Sequence, residues 1–269
     1  AALLQDELDY LHGVEAFMNT IQAVSLWALR RGFADAGIQD NEFLIFSEMM
    51  DATSLFLTAN ADTVYFWSNI NLADGPMVIE TPPGAFGVID DFWFRWIGDF
   101  GLPGPDRGEG GRYLLVPSGY DGPEPDGFIV YRSRTSLVMM VGRQFLVDDD
   151  PAPAVASIRE NLRAYRYRPG GVGTSIGAFL AGRAPLVPLT EPTPPRLVEG
   201  SGLEINTIPP NDFGHFEMLD ELVQHESADA LDVELAGQFA AIGIRKGEPF
   251  NPDPRLRAAL EQAVAVGNA

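Results

Sequence analysis

Between residues 43 and about 147 the chain alternates short β-prone runs with turns rich in glycine and proline, such as PPGAFG, GLPGPDRGEGG and GYDGPEPDG. Runs of four to eight β-branched and aromatic residues separated by such turns indicate a sandwich or barrel, because a βαβ fold would need helical stretches between its strands. Strands are expected near Leu55–Thr58, Val64–Asn71, Met77–Thr81, Phe86–Gly98, Arg112–Pro117, Phe128–Ser133 and Leu137–Gly142. The fold class is therefore mainly β with flanking α, with an N-terminal helix and C-terminal helices. The division is an N-terminal helical segment over 1–42, a β-sandwich over 43–200 and a C-terminal helical segment over 201–269.

The helices announce themselves by a different period. Leu4, Leu8, Leu11, Val14, Phe17, Met18, Ile21, Val24 and Leu29 recur at three- and four-residue steps, which predicts one amphipathic helix to about Arg31 with Gly32 at its C-cap. That face is expected to pack on the domain, or else to meet a partner helix. Asp149 or Asp150 and Pro151 open a second helix, and five prolines in 183–196 suggest an extended connector. Past residue 211, Asn211 or Asp212, Ser227 and Asp253 are cap candidates, and Leu256, Leu260 and Val264 share a face of the last helix.

Composition narrows the partners. With 38 Asp and Glu against 18 Lys and Arg, the formal net charge is −20, which repels phosphate backbones and anionic membranes. No apolar run is long enough to span a bilayer and no signal peptide is visible, so the expected location is the cytoplasm, or the periplasm or exterior after removal of a signal. The chain has no cysteine, which excludes disulfides, thiolate catalysis and Cys-ligated zinc. His12, His215 and His225 lack zinc spacing, and Lys246, the one lysine, sits in no P-loop. No GxSxG elbow, GxGxxG loop or calcium-hand spacing occurs.

Two segments concentrate polar chemistry. In Thr58–Tyr65 (TANADTVY) the Asn, Asp and Thr side chains suit a tight turn, or else present Asn60 and Asp62 to a hydroxylated ligand or a metal. In Asp90–Trp96, read as one strand, Asp91, Trp93 and Arg95 share one face and Asp90 lies on the other as an edge-strand, solvated carboxylate. Asp91 and Arg95 would be too far apart for direct contact there, but a ligand could bridge them.

Four stretches together resemble a known family, the bacterial domain of unknown function 1254. They are TANADTVY, the run DDFWFRWIGDFG with GPDRGEGGRYLLVPSGYDG, PDGFIVYRSRT with Arg143, and the tail IPPNDFGHFEMLDELVQHE into LAGQFAAIGIRKGEPF. The resemblance implies a jelly-roll-like β-sandwich. It also implies a second β-sandwich domain, unknown function 1214, after the tail helices. Here that domain would be a separate chain, a part cut away, or a part this member lacks, leaving a cleft half present and the last helix with an exposed apolar face. Asn60, Asp62, Thr63 and Tyr65 match the family's central motif, and Asp91, Arg95, Tyr113, Thr135 and Arg143 match recurrent positions.

Two functions follow as expectations. The first is a hydrolase-like enzyme acting on a small polar or carbohydrate-like molecule. Its catalytic candidates are Asp62, Asp91 and Arg95; its substrate-binding candidates are Asn60, Thr63, Tyr65, Tyr113, Thr135 and Arg143. No metal site is assigned, and the cofactor stays open, with a divalent cation as its candidate. The second is a non-catalytic binding or assembly module, forming a homo-oligomer or pairing with a companion β-sandwich domain.

Overall fold

The computed structural model describes residues 2–56, 61–168, 176–182 and 192–268. Ten strands form two sheets. They are β1 (Phe43–Ile45), β2 (Thr63–Asn71), β3 (Met77–Glu80), β4 (Ala85–Asp91), β5 (Trp96–Gly101), β6 (Arg112–Val116), β7 (Ile129–Arg132), β8 (Leu137–Phe145), β9 (Arg163–Arg166) and β10 (Leu197–Glu199). The larger sheet runs β10-β1-β2-β8-β4-β5 and the smaller β7-β6-β3-β9. The helices are α1 (Ala2–Asp35), α2 (Ala152–Asn161), α3 (Ile176–Leu180), α4 (Gly214–His225), α5 (Val233–Ala241) and α6 (Pro254–Gly267). The chain is thus a β-sandwich flanked by helices at both ends. Its sheets are mixed, since β1–β10 and β6–β7 pair in parallel.

Strand alternation sorts the large sheet into two faces. Val64, Phe66 and Ile70 of β2, Val138 and Met140 of β8 and Ile89 of β4 point inward, onto Met77, Ile79, Tyr113 and Leu115 of the small sheet. Gly87 and Gly142 lie opposite each other on that inner face. A Cβ on Gly142 would stand 2.0 Å from the Phe66 ring, and one on Gly87 2.4 Å from that of Phe100. The glycine pair is the recess into which both rings pack.

The opposite face of the large sheet is covered by α1, α4, α5 and α6, through Phe17, Val24, Trp27, Phe216, Leu222, Phe239 and Leu260. His215 of α4 is buried against Phe17 and lies 2.9 Å from Thr20 Oγ1. The Thr20 hydroxyl gives its proton to the Ala16 carbonyl, so His215 Nε2–H is the donor. Burial holds this imidazole neutral, with its pKa pushed down to about 4.

Several expectations change. The α1 stripe divides: Phe17, Val24 and Leu29 are buried, whereas Leu4, Leu8, Leu11, Met18 and Ile21 are exposed. Gly32 is no cap. The helix continues to Asp35, and Gly32 lets it pass the 205–207 backbone, where a Cβ would stand 2.1 Å from Asn206 O. The expected strand Phe86–Gly98 is a hairpin, β4–β5. Of the expected strand Leu55–Thr58, Leu55 forms a bridge to Asn206, while Leu57 and Thr58, like residues 183–191 of the connector, lie outside the described residues. The apolar face of α6 is covered, because Leu260 and Ala263 pack on Gly13 of α1. Asp253 caps α6, accepting from Leu256 N.

Substituting Gly142→Ala should lower stability by roughly 1–3 kcal/mol, because the methyl has nowhere to go unless Phe66 moves. Urea unfolding of the two proteins measures this, and an unchanged midpoint would refute the ring-in-recess account.

Candidate functional site

A cavity of about 460 Å³ lies between α1 and the outer face of the large sheet. Its floor comes from three neighbouring strands: Tyr65 and Trp67 of β2, Met139, Val141 and Arg143 of β8, and Val88 and Asp90 of β4. These alternate along each strand and stand opposite one another in register, Tyr65 with Arg143, Trp67 with Val141 and Val88, and Met139 with Asp90. Ser25, Leu26 and Leu29 of α1 form the roof. Met50, Phe56, Thr207 and Pro209 close one side, and Phe94 stands at another. A second hollow, about 800 Å³, lies over Asp51–Leu55 and Glu204–Asn206, but it is wide open, and its acids Asp51 and Glu204 are exposed.

Among the described residues, two charged groups face the cavity. Asp90 is 6% exposed, and among the described residues nothing donates a hydrogen bond to its carboxylate. Burial, then the charges of Asp91 and Asp99, raise its pKa to about 6. A carboxyl group poised there can take or give a proton near neutral pH. Arg143 lies four residues away along the neighbouring strand, roughly 13 Å. Its guanidinium stacks 4.9 Å over the Tyr65 ring and, among the described residues, has no carboxylate partner.

The turn joining β4 to β5 sets the other end of the cavity. Asp91 N donates to Arg95 O, and Phe94 N donates to Asp91 O. The Asp91 carboxylate accepts from Trp93 N at 2.9 Å, Arg95 N at 3.0 Å and Arg95 Nε at 2.6 Å. Arg95 also donates to Ala230 O, and its charge lies 3.8 Å from Asp232. This three-residue loop forces its third residue into the left-handed region, a place usually taken by glycine. Here it is Phe94, at φ 58°. A bulky residue kept in that conformation costs about 1 kcal/mol or more, which points to a use for its side chain at the cavity mouth.

The structure therefore separates the residues singled out in the sequence. Tyr65 and Arg143 line the cavity. Thr63 is buried on the same face as Tyr65, one step farther along β2, and Asp62 is exposed just before it. Asn60 lies outside the described residues. Asp91 and Arg95 are not bridged by a ligand; the turn brings them into direct contact and uses their polar atoms to hold itself. By the β8 register, Thr63 and Asp91 lie seven residues apart, roughly 23 Å along the strands, and Asp62 is one residue farther still, so those two acids share no hollow. Tyr113 is fully buried between the sheets, its hydroxyl donating to Asp106 at 2.5 Å. Burial first, then that bond, push its pKa far up. Thr135 is fully buried, donating to Leu137 O and accepting from Phe92 N.

Asp90 is the residue that sequence reasoning missed. It is neither solvated nor on an edge strand, because β4 lies between β5 and β8. The signal was present in the pleat: with Val88 facing the helices and Ile89 the other sheet, Asp90 must face the cavity. Among the described residues, no three His, Asp or Glu side chains come together to hold a metal, and no helix is long and apolar enough to cross a membrane.

The fold and cavity together define a β-sandwich with a helix-roofed pocket on the outer face of its larger sheet. Residues 41–166 match the family model described as protein of unknown function (DUF1254), the family that the sequence motifs point to. The crystal structure of the VPA0106 protein from Vibrio parahaemolyticus is similar over 96% of this chain, with a TM-score of 0.63 and 15% sequence identity. That likeness shows a shared fold, and this chain spans 58% of that protein's length. No curated protein matches the chain.

Because folding raises the Asp90 pKa, the protonated carboxyl favours the fold below about pH 4, and that contribution is lost as pH rises through about 6. Asp90→Asn should therefore raise stability at pH 7.5 by roughly 2–3 kcal/mol, with the advantage fading towards pH 4. Thermal melts across that range check it; a variant less stable at every pH would contradict the unpartnered carboxylate. Phe94→Gly should raise stability by about 1 kcal/mol through relief of the left-handed backbone. A lowered melting temperature would show that the Phe94 ring packs more strongly than its backbone is strained.

Proposed function

We propose that this protein binds a small molecule in the helix-roofed cavity and acts on it by general acid–base chemistry, in a hydrolase-like reaction with Asp90 as the base. The observation that carries the reading is a buried carboxylate, without a hydrogen-bond donor among the described residues, facing a cavity of small-molecule size. Among the described residues, the serine and threonine hydroxyls of the lining are already engaged. The Ser25 hydroxyl is spent on Ile21 O and that of Thr207 on Leu55 O. Asp90 would therefore work on a water or on a substrate proton rather than assist an attacking side chain. Asp91 and Arg95 support it indirectly, by fixing the turn that follows and by placing a second negative charge beside it. The charge of −20 argues against a nucleic-acid partner.

A second reading, an assembly role, draws on exposed aromatic side chains where β4 turns into β5. Phe94 is 50% exposed and Trp96 67% exposed. Single exposed side chains are ordinary, but two large aromatics so close in the chain suit a companion β-sandwich domain or a second copy. Light scattering decides whether the chain self-associates; a monomer whose state is unaltered by Trp96→Ser counts against the second copy.

The catalytic reading is tested with a panel of small esters, lactones and amides. A base of this kind gives a kcat/KM that rises through about pH 6, and Asp90→Asn should reduce kcat about 10²–10⁴-fold with binding preserved. Turnover that survives the substitution would exclude Asp90 as the base. Binding without turnover anywhere in the panel would favour the non-catalytic module.

A further inference from the structure

We infer that the cavity takes a slender monocarboxylate with an apolar body, bound with its carboxylate on Arg143 and its far, reacting end at Asp90. This rests on the reading above and adds the class and direction of the ligand.

Among the described residues, Arg143 is the one cationic residue lining the cavity. Other arginines around the large sheet are engaged: Arg95 with Asp91, Arg134 with Asp232, Arg30 with Asp40. In a chain with twice as many acids as bases, an arginine with no carboxylate among the described residues, held flat on a tyrosine ring at the end of a cavity, has fork-shaped donors to offer. A carboxylate accepts such a fork with two parallel hydrogen bonds.

The walls between the two charged ends are mostly apolar: Leu26, Leu29, Val88, Met139 and Val141, with the Trp67 indole N–H a buried donor among them. A sugar would leave its hydroxyls unpaired against them, which burial penalises. A hydrocarbon body gains from the same walls. The roughly 13 Å between Arg143 and Asp90 suits an extended chain of about ten carbons. Direction follows from charge. Turned round, the ligand's carboxylate would sit beside Asp90, with Asp91 and Asp99 near enough to act on it, and like charges in a buried setting repel strongly.

The test uses three ten-carbon probes, decanoate, 1-decanol and decylamine, with calorimetry on the whole chain. Decanoate should bind at least tenfold more tightly than 1-decanol. Arg143→Gln should remove that difference and leave 1-decanol unchanged, while Arg143→Lys should retain part of it. If 1-decanol or decylamine binds as well as decanoate, or if Arg143→Gln weakens decanoate and 1-decanol alike, the assignment is overturned. The probe comparison on the unsubstituted protein decides the matter even where a variant folds poorly. Asp90, followed by carboxyl NMR, separates the two levels. A titration that shifts at the same concentration of 1-decanol as of decanoate leaves the cavity a binding site and removes only the carboxylate class. A titration that no probe moves, with no binding heat, removes both.

Discussion

The site depends on how α1 lies against the outer face of the large sheet. Phe17, Val24 and Trp27 bury themselves between that sheet and the C-terminal helices, and the neutral His215, donating to Thr20, ties α1 to α4. Burying apolar area of this size is the main term holding the layers together. Two glycines set the spacing, Gly13 beneath α6 and Gly32 beneath Asn206. Where α1 passes Ser25, Leu26 and Leu29 it stands off from β2, β8 and β4, and the gap is the cavity. A helix drawn closer would leave no cavity, and one farther off would open it to water.

Two adjacent carboxylates on β4 have opposite lives because the pleat sends them to opposite faces. Asp91 is surrounded by three N–H donors from its own turn and serves the backbone. Asp90 has no such donors among the described residues, and its neighbours' negative charges raise the cost of ionising it further. The result is one satisfied acid and one with no donor among the described residues, held side by side by covalent geometry. The irregular pairing between Ile89 and Asp90 and the left-handed Phe94 flank the second. Such local departures from regular geometry gather where a structure is shaped for a ligand rather than for stability.

The charge of the chain and the charge of the cavity point different ways. A formal net charge of −20 disfavours polyanions. Inside the cavity the local arrangement matters more, since an arginine with no carboxylate partner among the described residues, in a partly desolvated setting, outweighs distant, screened acids. The net charge of the chain therefore does not argue against a small ligand with one negative charge.

The local chemistry was readable from the residues alone. Alternating β-prone runs with Gly/Pro turns indicated a sandwich or barrel, three- and four-residue spacing determined the terminal helices, and Asp253 before Pro254 determined where the last one starts. Of the residues singled out in the sequence, Tyr65 and Arg143 line the cavity. What the sequence left open was every feature made by distant segments or by one peptide's turn. The hairpin at Asp91–Arg95 closes through backbone hydrogen bonds that look the same, residue by residue, as a continuing strand. That turn decides that Asp91 meets Arg95 directly and that Phe94 reaches the cavity mouth. Asp90 becomes a candidate base only once β8, β2 and α1 enclose it, because desolvation is a property of the surroundings and not of the residue. Local hydrogen-bonding preference is written in a few neighbouring side chains; burial and charge proximity exist only after the chain has brought remote parts together.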